Sequence, residues 1–354
     1  MKTLTHLLSC CILLTAALAA AGEMRQQSTA QVGFEYDTNV FKNFNNPSSD
    51  FLFRLLAKNQ GEWQLSEKFS QYWNLQLGGK KYFDLSEQDM FIGSLEIPLK
   101  YYASPSVLIM FEPEIKYQDE NNSLDTLGAD INEDFLSTNG SLSAYFYLPH
   151  SFKLQLFSNI NYFKFQSTNT FSYLRESGGT KISREMTDWL SMFAQYYYAA
   201  QQFESSDRAD REHAVTPGLQ IQKSFIFTGS YTYQTVSSSN EIFSFDNHRI
   251  NLSLSVPLIL PDEESMDPLL GFHLLGALQV RNYPSVFGST QEGERFLLSG
   301  SEDENFNSIT AKLTYHPVRK FIVEGKFTRY SNELSSSQVD FTRHLFYLGA
   351  RYLF

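Results

Sequence analysis

From Gln27 to its last residue the chain alternates apolar and polar side chains with period two, and turn residues break that alternation at short intervals. Period two is the spacing of a β-strand, whose successive side chains point to opposite faces of a sheet, so almost the whole chain reads as strand. Val107, Ile109, Phe111, Ile115 and Tyr117 share one face, whereas Glu112, Glu114 and Lys116 share the other. Ile250, Leu252, Leu254 and Val256 oppose Arg249, Asn251, Ser253 and Ser255. Ile309, Ala311, Leu313 and Tyr315 oppose Thr310, Lys312, Thr314 and His316, and Phe321, Val323 and Phe327 oppose Glu324, Lys326 and Thr328. Strands of this kind have two solutions. Either the apolar face is a buried core and the charges meet bulk water, or the apolar face meets lipid and the charges line a wet interior.

The turns decide between them. Short connections recur at Ser66-Glu67-Lys68, Ser104-Pro105-Ser106, Pro149-His150-Ser151, Thr187-Asp188, Lys223-Ser224 and Pro317-Val318-Arg319-Lys320, followed by aromatics at Phe69, Phe152, Trp189, Phe225 and Phe321. Between them lie mostly longer polar loops at 43–50, 84–89, 119–133, 204–212, 236–246, 284–303 and 332–340. Short turns on one side, long loops on the other and aromatics at one level describe a transmembrane antiparallel up-and-down β-barrel. Counted this way, strands run 29–41, 51–64, 69–82, 90–102, 107–117, 135–148, 152–165, 172–185, 189–202, 213–222, 225–235, 247–256, 270–282, 306–316, 321–331 and 342–354, which makes about 16. A count of 14 stays open, because 166–188 and 257–270 have blurred boundaries. Pro257, Pro261 and Pro268 with Asp262, Glu263, Glu264 and Asp267 make the latter a long acidic connection on the short-turn side. A closed sheet of this kind has no edge left to satisfy.

Composition agrees. A hydrophobic content of 42% over 354 residues excludes a disordered polymer. A mean hydropathy of −0.30, with no apolar run of about 18 residues beyond the N-terminus, excludes a helical membrane bundle. Aromatics reach 15%, an excess that suits β-structure with rings packed on a surface. Met1 to Ala21 reads as a secretory leader, with Lys2 in the n-region, Leu7 to Leu18 as the apolar run and Ala19-Ala20-Ala21 as the small-residue cleavage site. Its removal takes away Cys10 and Cys11, so the exported chain has no disulfide framework and no thiolate chemistry. It also leaves 27 Lys and Arg against 39 Asp and Glu, a balance of −12 that argues against nucleic acid as a partner. The domain reading is therefore a leader over 1–21, a short periplasmic segment over 22–28 and a single barrel over 29–354.

The C-terminus is the most specific feature. Phe346, Leu348, Ala350, Tyr352 and Phe354 share one face and the last residue is aromatic. This tail resembles the terminal signal of bacterial outer-membrane β-barrels, which implies export to the outer membrane and recognition of Phe346, Leu348, Tyr352 and Phe354 by the barrel-assembly machinery. Outer-membrane lipids and lipopolysaccharide are then its surroundings. The opening strand, Gly33-Phe34-Glu35-Tyr36-Asp37-Thr38-Asn39-Val40, is similar to the first strands of barrels that end polysaccharide-export and lipoprotein-export proteins. Those families carry a helical-repeat periplasmic region ahead of the barrel, whereas here the strands begin almost at the leader. Read from residue chemistry alone, Asp37 and Asn39 suit a strand end turning into a loop. One internal repeat aligns 229–258 with 325–354, matching Gly229 to Gly325, His248 to His344 and Leu252 to Leu348. Hairpin duplication and convergence of two hairpins in the same surroundings account for it equally.

The charged faces carry the function. Glu35, Lys80, Glu96, Glu112, Glu114, Lys116, Arg249, Arg281, Lys312, Glu324, Lys326, Arg343 and Arg351 are expected to line the lumen, since a charge facing hydrocarbon costs a few kcal/mol. Side chains alone do not fill a barrel this wide. Mixed carboxylates and cations around a wet lumen are those of a passive, porin-like channel for small solutes. The alternatives are a structural, interaction or export-associated barrel with a blocked lumen, and an enzyme sited at the rim. For the enzyme, His248 and His344 with Ser244 and Asp246, or His213 after Asp207, Asp210 and Glu212, have no diagnostic spacing. Asp119-Glu120 and Glu302-Asp303-Glu304 suit solvated acidic loops better than a calcium or magnesium site. No catalytic residue, metal or cofactor is expected.

Overall fold

The computed structural model describes residues 23–40, 47–120, 134–165, 172–260, 268–282, 307–331 and 342–354. The strands are β1 (Glu23–Asp37), β2 (Asp50–Gln64), β3 (Phe69–Tyr82), β4 (Met90–Glu96), β5 (Leu99–Ser104) and β6 (Val107–Glu120). They continue with β7 (Phe135–Leu148), β8 (Phe152–Phe165), β9 (Tyr173–Thr187), β10 (Leu190–Phe203), β11 (Ala209–Gln222) and β12 (Ile226–Ser238). The last five are β13 (Phe245–Ile259), β14 (Leu270–Asn282), β15 (Asn307–Val318), β16 (Phe321–Ser331) and β17 (Thr342–Leu353). Each pairs antiparallel with its neighbours in sequence, and β17 returns to β1 with Thr29 opposite Leu353 and Asp37 opposite Leu345. The sheet closes on itself, so no strand edge is exposed along the ring.

Seventeen elements make sixteen staves, because β4 and β5 are two halves of one. Both pair with β3 on one side and β6 on the other. The break falls at Ile97-Pro98, where proline supplies no N–H to the ladder. The Pro98 carbonyl still accepts from Tyr72 N at 2.7 Å, so the stave bends without opening the wall. The sixteen-strand reading holds, and the described part of 166–188 holds one strand, β9.

Several strand boundaries need correction: β6 runs to Glu120, so Asp119 and Glu120 are strand rather than loop, β12 runs to Ser238 and β13 to Ile259. Residues 23–28, expected as part of a segment ahead of the barrel, are strand: β1 pairs with β2 as far as Glu23 opposite Gln64. Met24-Arg25-Gln26-Gln27-Ser28 has no continuous apolar face, and it pairs with the mostly polar end of β2, with Gln60 Nε2 donating to Gln27 Oε1 at 3.1 Å. Likewise Asp210 and Glu212 lie in β11 rather than in a loop over 204–212. The short turn at 149–151 is built by His150 and Ser151, both with φ near +60° (60° and 61°), the paired left-handed conformation that matches the twist of a two-residue hairpin. The expected leader, the acidic connection at 262–267, and the loops at 121–133, 284–303 and 332–340 lie outside the described residues.

Candidate functional site: the inner wall of the barrel

Closing a sheet crowds the side chains on its concave face and splays those on its convex face. The crowded face is therefore the lumen. On β1, Glu35 and Asp37 are 1% and 0% exposed, while Phe34 beside them is 58% exposed. The convex face carries Phe51, Leu55, Leu77, Ile115, Leu156, Ile182, Leu252, Leu278, Leu313, Phe346 and Leu348, all exposed. Phe346, Leu348, Tyr352 and Phe354 of the expected assembly signal lie on it. All thirteen residues expected to line the lumen sit on the opposite, concave face of their strands by register.

The densest cluster straddles the closure between β17 and β1. Arg343 donates to both carboxylate oxygens of Asp37 at 3.0 Å, and Arg54 Nη1 donates to Glu35 Oε2 at 2.7 Å. Glu35 thus pairs with Arg54 on β2, and Arg343 with Asp37. Asn39 N donates to Asp37 Oδ1 at 3.0 Å, and Asn39 Nδ2 reaches the Thr342 carbonyl at 3.3 Å. The opening motif is thus a clasp for the closure. Tyr347 lies across Gly33 and Gly349, which face each other in the ladder, and a Cβ on Gly33 would come within 2.6 Å of its hydroxyl. Only glycine leaves room for that ring. Above it, Val40 packs on Leu52 and Tyr82 to form a small apolar core inside the long-loop mouth.

Around the rest of the wall the expected residues fall into pairs rather than one ring. Lys312 lies directly opposite Lys326, and its Nζ is 3.8 Å from Glu324. Lys326 sits 5.3 Å from the centre of the Tyr347 ring, and Arg281 4.6 Å from that of Phe245. Glu96 accepts from Asn74 at 3.0 Å and Glu112 from Ser141 at 3.2 Å, while Glu114 faces Glu96 across the ladder. Lys116 lies over Phe135 at 5.1 Å. Arg249 donates to Asn251 at 3.0 Å. Lys80 faces Arg54, and Arg351 faces Gln31.

Sequence reading missed two groups on this wall. Glu212, placed in a loop, points inward and gathers Arg175 at 2.7 Å, Gln234 at 2.6 Å and the Tyr197 hydroxyl. Lys153 and Lys181, on β8 and β9, form no ion pair among the described residues. Lys153 Nζ instead lies 4.5 Å from the Tyr145 ring centre and 5.4 Å from that of Tyr147, and Lys181 Nζ lies 4.3 Å from Phe193. The parity of β8 and β9 was legible and would have placed both lysines inside.

The rim histidines do not assemble a relay. His213 points outward, opposite in direction to Glu212, with Nδ1 2.9 Å from the Tyr196 hydroxyl. His248 repeats this with Tyr231 at 2.6 Å, and His344 stacks on Phe327. In all three the ring partner lies seventeen residues upstream on the preceding strand. Asp210 is taken by Arg208 at 3.0 Å, and Ser244 Oγ accepts from Ser238 N at 2.9 Å. Among the described residues no three His, Asp or Glu side chains gather closely enough to hold a metal ion.

A family model described as "Putative beta-barrel porin 2" matches residues 152–257, which span β8 to most of β13. No curated protein matches the sequence. Among solved structures, OccK2 (OpdF) of Pseudomonas aeruginosa has a TM-score of 0.50 at 8% identity, covering 94% of this chain and 98% of that one. An anion-selective porin from Comamonas acidovorans has a TM-score of 0.49 at 10% identity, covering 94% and 100%. A bacterial polysaccharide outer-membrane secretin has a TM-score of 0.48 at 7% identity, covering 92% and 97%.

Proposed function

We propose that this porin-like outer-membrane β-barrel is a passive channel for small solutes, exported with loss of Met1 to Ala21. One observation carries the reading: sixteen staves close with exposed apolar side chains on the convex face and cations, carboxylates and amides on the concave face. Lipid solvates the first and only water solvates the second. Sixteen strands also enclose more space than wall side chains fill. The lining would then include Glu35, Lys80, Glu96, Glu112, Glu114, Lys116, Arg249, Arg281, Lys312, Glu324, Lys326, Arg343 and Arg351, with outer-membrane lipids and lipopolysaccharide against the convex face.

Purified, heat-modifiable protein in planar bilayers should give discrete current steps that scale with salt. A second reading, an interaction barrel with a blocked lumen, draws on the apolar packing of Val40 against Leu52 and Tyr82 inside the mouth. Folded protein that inserts without carrying current would favour that reading and overturn the channel.

A further inference from the structure

Lys153 and Lys181 occupy neighbouring strands on one face of the lumen. Lys153 faces Ser183 and Lys181 faces Gln155, so the two lysines stand one register step apart. Tyr145 and Tyr147 flank them on β7, and Phe193 on β10. Gln155 Nε2 donates to the Tyr145 hydroxyl at 3.1 Å and to Ser143 Oγ at 3.3 Å. A hydroxyl that accepts from an amide keeps its own proton to donate. The carboxylates nearest in register are Glu185, one step from Lys153 on the side away from Lys181, and Glu112 on β6, which accepts from Ser141. Neither forms an ion pair with these lysines.

An ammonium held over a ring differs from one held by a carboxylate. The ring quadrupole attracts the cation and fixes its position, but it carries no net charge and cancels none. Elsewhere on the wall Arg54, Arg343 and Arg175 each meet a carboxylate, and the field of each pair falls off as a dipole, whereas Lys116, Lys326 and Arg281 lie singly over rings. At Lys153 and Lys181 two ammonium groups stand over rings, one register step apart and in no ion pair, with the Tyr145 and Tyr147 hydroxyls on the adjoining strand.

From this geometry we infer that the β8–β9 wall, centred on Lys153 and Lys181, is a binding subsite for small oxyanions, carboxylate or phosphate, passing through the lumen. Two ammonium groups on adjacent strands suit a charge shared over two or more oxygens, and Tyr145 adds a neutral donor. The inference rests on the channel reading.

Reversal potentials under a potassium chloride gradient test it. The variants are Lys153→Gln, Lys181→Gln and their double, with Lys164→Gln removing the same charge from the outward face. Chloride preference should fall about two-fold for each lumenal charge removed, survive Lys153→Arg with Lys181→Arg, and stay unchanged in Lys164→Gln. Acetate or inorganic phosphate, raised stepwise in separate runs, should lower chloride current in the natural protein and much less in the double variant. Inhibition by acetate alone assigns carboxylates, and inhibition by phosphate alone assigns phosphate. A conducting channel whose selectivity ignores both lysines, or whose current ignores both anions, overturns the subsite and leaves the channel intact. Folded barrels without current overturn both.

Discussion

At the closure between β17 and β1, Arg343 and Arg54 face Asp37 and Glu35 across single hydrogen-bond distances. On the β8–β9 wall, Lys153 and Lys181 face Tyr145, Tyr147 and Phe193. Both regions hold cations in place inside one barrel, and the difference lies in what each does to the field. Arg343's planar fork meets Asp37 with two donors and Arg54 meets Glu35 with one, so the seam gains geometry and loses charge. Lysine over a ring gains geometry and keeps charge. The seam therefore reads as fixation and the wall as field. Rings serve both regions: Tyr347 spans Gly33 and Gly349, and Phe193 lies against Gly218 on the next strand.

The largest expected effect is at the seam. Asp37 is fully buried, so removing its partner in Arg343→Gln leaves an uncompensated charge, which costs about 3–5 kcal/mol. Denaturant unfolding in lipid vesicles measures this, and adding Asp37→Asn to the same chain should restore most of the loss. Stability indifferent to Arg343 would mean the clasp is not what holds the closure. Next in size is a change of face rather than of region. Leu348, 65% exposed and midway along β17, should cost about 2–4 kcal/mol as Leu348→Arg, whereas Ser183→Arg on the lumenal wall should leave the same unfolding curve nearly unmoved. Similar losses for both would erase the distinction between a lipid face and a wet one.

A smaller effect sharpens the contrast directly. Glu35→Gln keeps a hydrogen-bond acceptor for Arg54 but removes the cancelling charge, turning a seam pair into a cation of the wall type. Stability should fall by about 1–2 kcal/mol, and chloride preference should rise, opposite in sign to the loss of Lys153. A fall in chloride preference would show that the seam does not face the conducting path.

Most of the fold was legible because parity is a local property. Glu112, Glu114 and Lys116 declare their face from three alternate positions, and every lumenal residue expected from such runs lies on the concave side. Partners were not legible, because they depend on register between strands far apart in the chain. Glu35 meets Arg54 only because β1 and β2 pair Glu35 with Leu52, one diagonal step away. Strand ends were lost where polarity is continuous: Arg25 to Ser28 and Asp210 to Glu212 have no apolar face to reveal a strand. Lys153 and Lys181 escaped for another reason. Cation–ring contacts join residues on adjacent strands, Tyr145 with Lys153 and Lys181 with Phe193, and no single strand shows them.

The smallest expected effect concerns the rings themselves. If Tyr145 and Tyr147 only fill space, replacing both with leucine should leave selectivity alone, since Lys153 keeps its charge. If they orient the ammonium, each loses a cation–ring attraction of about 0.5–1 kcal/mol, and Lys153 becomes free to swing toward Glu185 or into bulk water. Chloride preference should then fall part of the way toward that of Lys153→Gln, while unfolding in vesicles changes little. Phenylalanine at both positions separates the two roles, because it keeps the ring face and removes the hydroxyl. Tyr145→Phe with Tyr147→Phe should hold the natural reversal potential but weaken inhibition by acetate or phosphate, whose oxygens lose a donor. Selectivity that follows the hydroxyls instead of the rings would move the source of the field from Lys153 to the hydrogen-bond donors around it.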